Sequence, residues 1–169
     1  MNLSLDHINA KSPYQLVKLT DLTFAFTTDG GIRYSVGFYA DTLFMKEGAY
    51  HFFIDNTEGE HGSHDSKIVD VVVAVLEEFF DQEPSVMLYI CDPVDHRQAA
   101  RNRLYTIWYQ TYAMSHGLTM YSDSVKIDNE VYYAGLLMRH DHPHHDEILS
   151  AYQEFLKFFP VRFHLSSEK

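Results

Sequence analysis

S-V-M-L-Y-I-C-D-P-V-D-H-R-Q-A-A-R-N-R-L-Y, residues 85–105, is the stretch on which the fold turns. Ser85–Cys91 is apolar at nearly every position, the pattern of a strand buried on both faces and so central in its sheet. Pro93 suits a sharp strand-to-helix turn. Asp95 is a favoured N-cap residue, and Gln98 three positions on completes a capping box. A helix is expected from about His96 to Ala113. At about 100° per residue, Ala100, Leu104, Ile107, Trp108 and Thr111 define its core-facing side. Arg97 projects toward that side, Arg101 lies beside it and Arg103 points to solvent. A cation early in a helix opposes the positive end of the dipole. Arg97 and Arg101 therefore call for a carboxylate, such as Asp92 or Asp95, or for an anionic ligand beyond the central strand.

Working outward, Leu22, Phe24 and Phe26 alternate with Thr23, Ala25 and Thr27, which is strand periodicity. Asp29-Gly30-Gly31 supplies residues that tolerate positive φ, and Ile32, Tyr34, Val36 and Phe38 alternate on the returning strand. A third strand follows at Ala49–Asp55, then a loop at Asn56–Asp65. Ile68, Val71, Val72, Val75, Leu76 and Phe79 recur at helical spacing, which favours a helix from Ser66 to about Phe80 over a strand, with Asp65 or Ser66 as N-cap. Beyond the second helix, Leu118–Ile127, an Asp128-Asn129 turn and Val131–Met138 read as a hairpin. A last helix is expected from about His145 to Phe159, ended by Pro160. The expected fold is one α+β domain over residues 1–169, with a mixed, largely antiparallel sheet in the order β-β-β-α-β-α-β-β-α.

Composition excludes several classes. The 169 residues carry 24 acidic and 13 basic side chains, a formal net charge of −11, which opposes general binding to nucleic acid or an anionic membrane. Hydrophobic residues at 46% mark a globular chain. The single cysteine, Cys91, rules out an intramolecular disulfide and reads as a structural thiol. No apolar run reaches signal-peptide or membrane-helix length, so a soluble cytoplasmic protein is expected.

Leu88–Tyr109, L-Y-I-C-D-P-V-D-H-R-Q-A-A-R-N-R-L-Y-T-I-W-Y, resembles the signature of a family of uncharacterised proteins found chiefly in Bacteroidetes. The likeness extends to the hairpin F-T-T-D-G-G-I-R-Y-S-V-G-F at Phe26–Phe38. It implies a shared fold and no assigned activity. The element order is also similar to the core of the acetyl-CoA-dependent N-acetyltransferase superfamily. That resemblance implies a pyrophosphate cradle at the loop glycines Gly59 and Gly62, and a general acid at Tyr105. The loop here reads E-G-E-H-G-S, and its acids Glu58 and Glu60 would repel a pyrophosphate.

R-H-D-H-P-H-H-D-E, Arg139–Glu147, sets His140, His142, His144 and His145 within six residues, a density able to bind a divalent transition metal. His61 and His64 form a second pair. The aromatic C-terminal run, with Phe158 and Phe163, exceeds what one helical stripe can bury and points to a homodimer. No P-loop, Rossmann fingerprint, G-x-S-x-G, H-E-x-x-H or C-x-x-C occurs. The leading expectation is a binding or interaction module without catalysis. The alternatives are an N-acetyltransferase-like enzyme or acyl-CoA-binding protein using Gly59, Gly62, Arg97 and Arg101, and a His-rich metal-binding protein.

Overall fold

A computed structural model describes residues 1–41, 48–59, 65–82, 85–94 and 96–166, with side chains described through Phe158 in the last helix. The elements are α1 (Leu5–Lys11), β1 (Val17–Lys18), β2 (Thr23–Thr27), β3 (Arg33–Ala40), β4 (Ala49–Asn56) and α2 (Lys67–Gln82). They are followed by β5 (Val86–Cys91), α3 (Gln98–Thr111), a 3₁₀ turn (Ala113–His116), β6 (Leu118–Ile127), β7 (Glu130–Arg139) and α4 (His145–Ser166). The fold is α+β and its strand pairs are mostly antiparallel. The expected order is present, preceded by α1 and β1, which alternation did not reveal because one is short and the other very short. The chain forms two compact units, residues 1–39 with 50–85, and residues 40–49 with 86–169.

In the first unit the strands run β1-β2-β3-β4. β2 and β3 pair from Thr23↔Gly37 to Thr27↔Arg33, closed by a loop in which Gly31 takes φ +81°. The valine-rich segment is indeed helical. Asp65 Oδ1 accepts the Lys67 N–H at 2.9 Å, supplying the expected cap. α2 buries Val71, Val75, Leu76 and Phe79, and Phe79 stacks on Phe38 at 4.1 Å. It also buries a carboxylate. Glu78 accepts from the Ser4 N–H at 2.9 Å and from Gln82 Nε2 at 2.7 Å, and lies 3.1 Å from His7 Nδ1. These contacts attach α1 to α2 and satisfy a group that would otherwise be costly to bury. At the other end, Tyr14 donates to Asp65 Oδ2 at 2.6 Å, and Lys67 bridges to Asp29 in the hairpin loop at 2.6 Å.

In the second unit the strand order is β5-β7-β6. β5 is buried along its length except for half-exposed Ile90, as its apolar run requires. Val86 and Leu88 of β5, Ala134, Leu136 and Met138 of β7, and Ile148, Tyr152 and Phe155 of α4 form one core. Tyr152 donates to the Ala134 carbonyl at 2.9 Å within it, so a large aromatic enters without an unpaired hydroxyl. On the opposite face Tyr89 lies across Gly135, where an added Cβ would sit 2.0 Å from the ring. The helix α4 differs from expectation: it continues through Pro160 to Ser166. Proline removes its own N–H from the ladder and its ring crowds the carbonyl four residues earlier, yet the helical turns continue beyond it.

Gly135→Ala is expected to destabilise the protein by about 3 kcal/mol in denaturant titration, because the methyl group and the Tyr89 ring cannot share the space. In a Tyr89→Leu background the same change should cost about 1 kcal/mol or less. Equal costs in the two backgrounds would contradict this packing.

Candidate functional site

The end of β5 and the start of α3 hold the arginines that the sequence singles out. Asp92 follows the strand, and its Oδ1 accepts the Val94 N–H at 3.0 Å. His96 takes φ +57°, and its N–H donates to the Pro93 carbonyl at 2.9 Å, making the turn. α3 begins at Gln98 with Arg97 in the N-cap position, φ −110° and ψ 8°, and with no side-chain cap bond. The N-cap is Arg97 rather than Asp95, and Gln98 opens the helix instead of standing at its third position, so the expected capping-box spacing is not kept; Asp95 lies outside the described residues. Arg101 reaches back to the strand end: its Nη2 donates to the Asp92 carbonyl at 2.6 Å and lies 3.7 Å from Asp92 Oδ1. The cation is therefore held by the chain itself, the first of the two outcomes expected for it. Arg97 and Arg103 are exposed.

The orientation of α3 reverses the expected one. Ala100, Leu104, Ile107 and Thr111 face outward, with Leu104 at 45% and Ile107 at 46% exposure, and only Trp108 of the predicted core side is buried. Asn102 and Tyr105 turn toward the sheet instead, and they and Tyr109 are half-buried. Tyr105 stacks on Tyr89 with ring centres 4.2 Å apart. Tyr89 donates to Asn102 Oδ1 at 3.0 Å, and Ser122 Oγ lies 3.3 Å from both atoms. Two effects select this orientation. Aromatic side chains bury more area than Leu104 and Ile107, and the buried Tyr89 hydroxyl needs the Asn102 carbonyl oxygen opposite it. Burial holds the Tyr89 pKa up at about 12, and the same cause raises that of Tyr152.

The remaining predicted residues do not converge. Tyr105 is engaged in the stack with Tyr89. Gly59, φ +66°, closes a turn in which Asn56 Oδ1 accepts the N–H groups of Glu58 at 3.1 Å and Gly59 at 3.0 Å. Its amide is thereby committed to the turn. Gly62, His61 and His64 lie outside the described residues. His140 Nδ1 is 2.8 Å from the Gly117 carbonyl, and His145 Nε2 is 3.0 Å from the Tyr121 hydroxyl, so each ring is used by its own neighbourhood. The His142 and His144 rings lie 6.2 Å apart. Among the described residues no three His, Cys, Asp or Glu side chains gather where a metal ion would sit. No described helix is long and apolar enough to cross a membrane.

What sequence reasoning missed is the trio Tyr89, Asn102 and Ser122, and the outward apolar side of α3. The signal was the asparagine beside Tyr105 and Tyr109 on the aromatic side of the helix. It marks a buried polar partner rather than a surface.

A family model described as "Family of unknown function (DUF6169)" matches residues 64–154, more than half of the chain. No curated protein matches it. A solved structure of a CoA-dependent acyl-homoserine lactone synthase, MesI, aligns with 83% of this chain and 75% of that one, at 11% identity and a TM-score of 0.35. A likeness that weak has no bearing on chemistry.

The raised Tyr89 pKa has a definite sign in stability. An unfolded tyrosine ionises near the ordinary value of 10.0 and the folded one near 12, so stability is complete below pH 10 and falls as pH rises toward 12. Urea titrations should show wild type losing about 1.4 kcal/mol more per pH unit in that window than Tyr89→Phe. Parallel pH profiles would mean that the hydroxyl is not buried as described.

Proposed function

The chain belongs to the DUF6169 family of unknown function, and we propose that it is a protein-binding module whose docking face is the outer side of α3. The observation that carries this reading is the apolar stripe Ala100, Leu104, Ile107 and Thr111, continued past the helix by Met114 at 59% exposure. These positions recur at i, i+4, i+7 and i+11. That is the spacing with which one amphipathic helix meets another.

Charge states the partner's chemistry. Gln98–Thr111 contains Arg101 and Arg103 and no Asp or Glu, within a chain of net charge −11. Arg101 is directed at Asp92, whereas Arg103 borders the stripe and makes no ion pair among the described residues. An amphipathic segment of another protein, apolar along one side and flanked by carboxylates, complements this face in shape and sign. A second copy of α3 would bring Arg103 against like charge, with no acid on either helix to offset it.

The double variant Leu104→Asp, Ile107→Asp alters exposed side chains only, and should leave the unfolding midpoint within a few degrees of wild type. In cross-linking from the native host, a protein captured by wild type should be lost with this variant. It should be retained by a control, Val17→Glu with Leu19→Glu, which changes exposed residues at 53% and 52% in the first unit. If the double variant and wild type capture the same proteins equally, α3 is not the docking face.

A further inference from the structure

β6 runs ten residues, Leu118–Ile127, about twice the usual strand length. It pairs with β7 without a bulge from Leu118↔Arg139 to Ile127↔Glu130, and among the described residues no strand lies on its other side. The backbone pattern follows from its two ends. The Gly117 carbonyl accepts from the His140 N–H at 2.9 Å, and Ile127↔Glu130 closes the two-residue turn, so the odd-numbered residues share hydrogen bonds with β7. Met120, Ser122, Ser124 and Lys126 accordingly turn their N–H and C=O groups outward. No described residue bonds to those groups.

Exposed edges of this length are normally guarded by proline, a bulge or several charges. β6 has no proline or bulge, and its charges are Asp123 and Lys126, neither in an ion pair among the described residues. We propose that this edge binds an extended segment of another protein, added as a further strand beside β6 by backbone hydrogen bonds. The side chains define that segment. Tyr121 and Val125 lie against the apolar core on one face, while Ser122, Ser124 and Lys126 line the other. The incoming strand alternates apolar residues toward Tyr121 and Val125 with polar ones toward the serines, and sets a carboxylate opposite Lys126. A second copy of this chain fits poorly. Antiparallel self-pairing joins even-numbered residues to even-numbered ones, so Asp123 and Lys126 never face each other and both charges stay uncompensated.

The probe is a displayed library of random peptides panned on the full chain, with the recovered peptides synthesised and titrated into labelled protein. They are expected to shift the amide resonances of Met120, Ser122, Ser124 and Lys126, and to carry an acidic residue at one constant position. Ser124→Pro removes an outward N–H while leaving the bonds to β7, and should weaken binding about tenfold. Lys126→Glu, which leaves the backbone untouched, should change the selected acidic residue to a basic one. The Leu104→Asp, Ile107→Asp variant should bind the peptides as wild type does, which separates this site from the α3 face. Failure to recover binders, shifts confined to other residues, or full affinity in Ser124→Pro would each overturn the proposal.

Discussion

The hydroxyl of Tyr89 constrains the second unit more than any other single group. It sits on a strand with 1% exposure, where an unpaired O–H would cost about 1–3 kcal/mol. The surrounding residues are arranged to avoid that cost. Gly135 leaves room for the ring on β7, Ser122 on β6 comes to 3.3 Å, and Asn102 presents its oxygen from α3. A helix can offer only one side to a sheet. Once Asn102 and Tyr105 face Tyr89, Leu104 and Ile107 have to face away.

That rotation explains why the arginine question resolves as it does. Arg101 lies within reach of the strand end and is held by Asp92, so the helix entrance is neutralised internally. Arg103 is left beside an apolar stripe on the outside. The first unit handles its own buried polar group by the same rule, with Glu78 satisfied from α1 and from Gln82 one turn further along α2. In each unit, a buried polar group finds a hydrogen-bond partner on a separate part of the chain.

Regular elements were legible because they rest on local periodicity. The alternation at Leu22–Phe38, the 3.6-residue recurrence at Ile68–Phe79 and the apolar run at Ser85–Cys91 each became the expected element within a few residues. α1 and β1 were not legible, being too short for a period to register. The end of α4 misled because a proline usually stops a helix. The facing of α3 misled for a deeper reason. A stripe of Ala, Leu, Ile, Trp and Thr signals burial only if nothing else competes, and here Asn102 and Tyr105, tied to Tyr89, competed and left only Trp108 of that stripe buried.

The amino-acid sequence by itself determined the fold class, the order of its principal elements, the acidic balance and the sharp turn after β5. All of these follow from interactions between residues near one another in the chain. Tertiary structure decided which side of α3 is buried, where the Arg101 cation is neutralised and which backbone groups of β6 are left open. It also decided that His140, His142, His144 and His145 do not converge on one point. The facing of α3 depends on Tyr89 meeting Asn102 and Ser122 across 13 and 33 residues of chain. Hydrogen-bond satisfaction between such distant partners leaves no period in the sequence from which to read it.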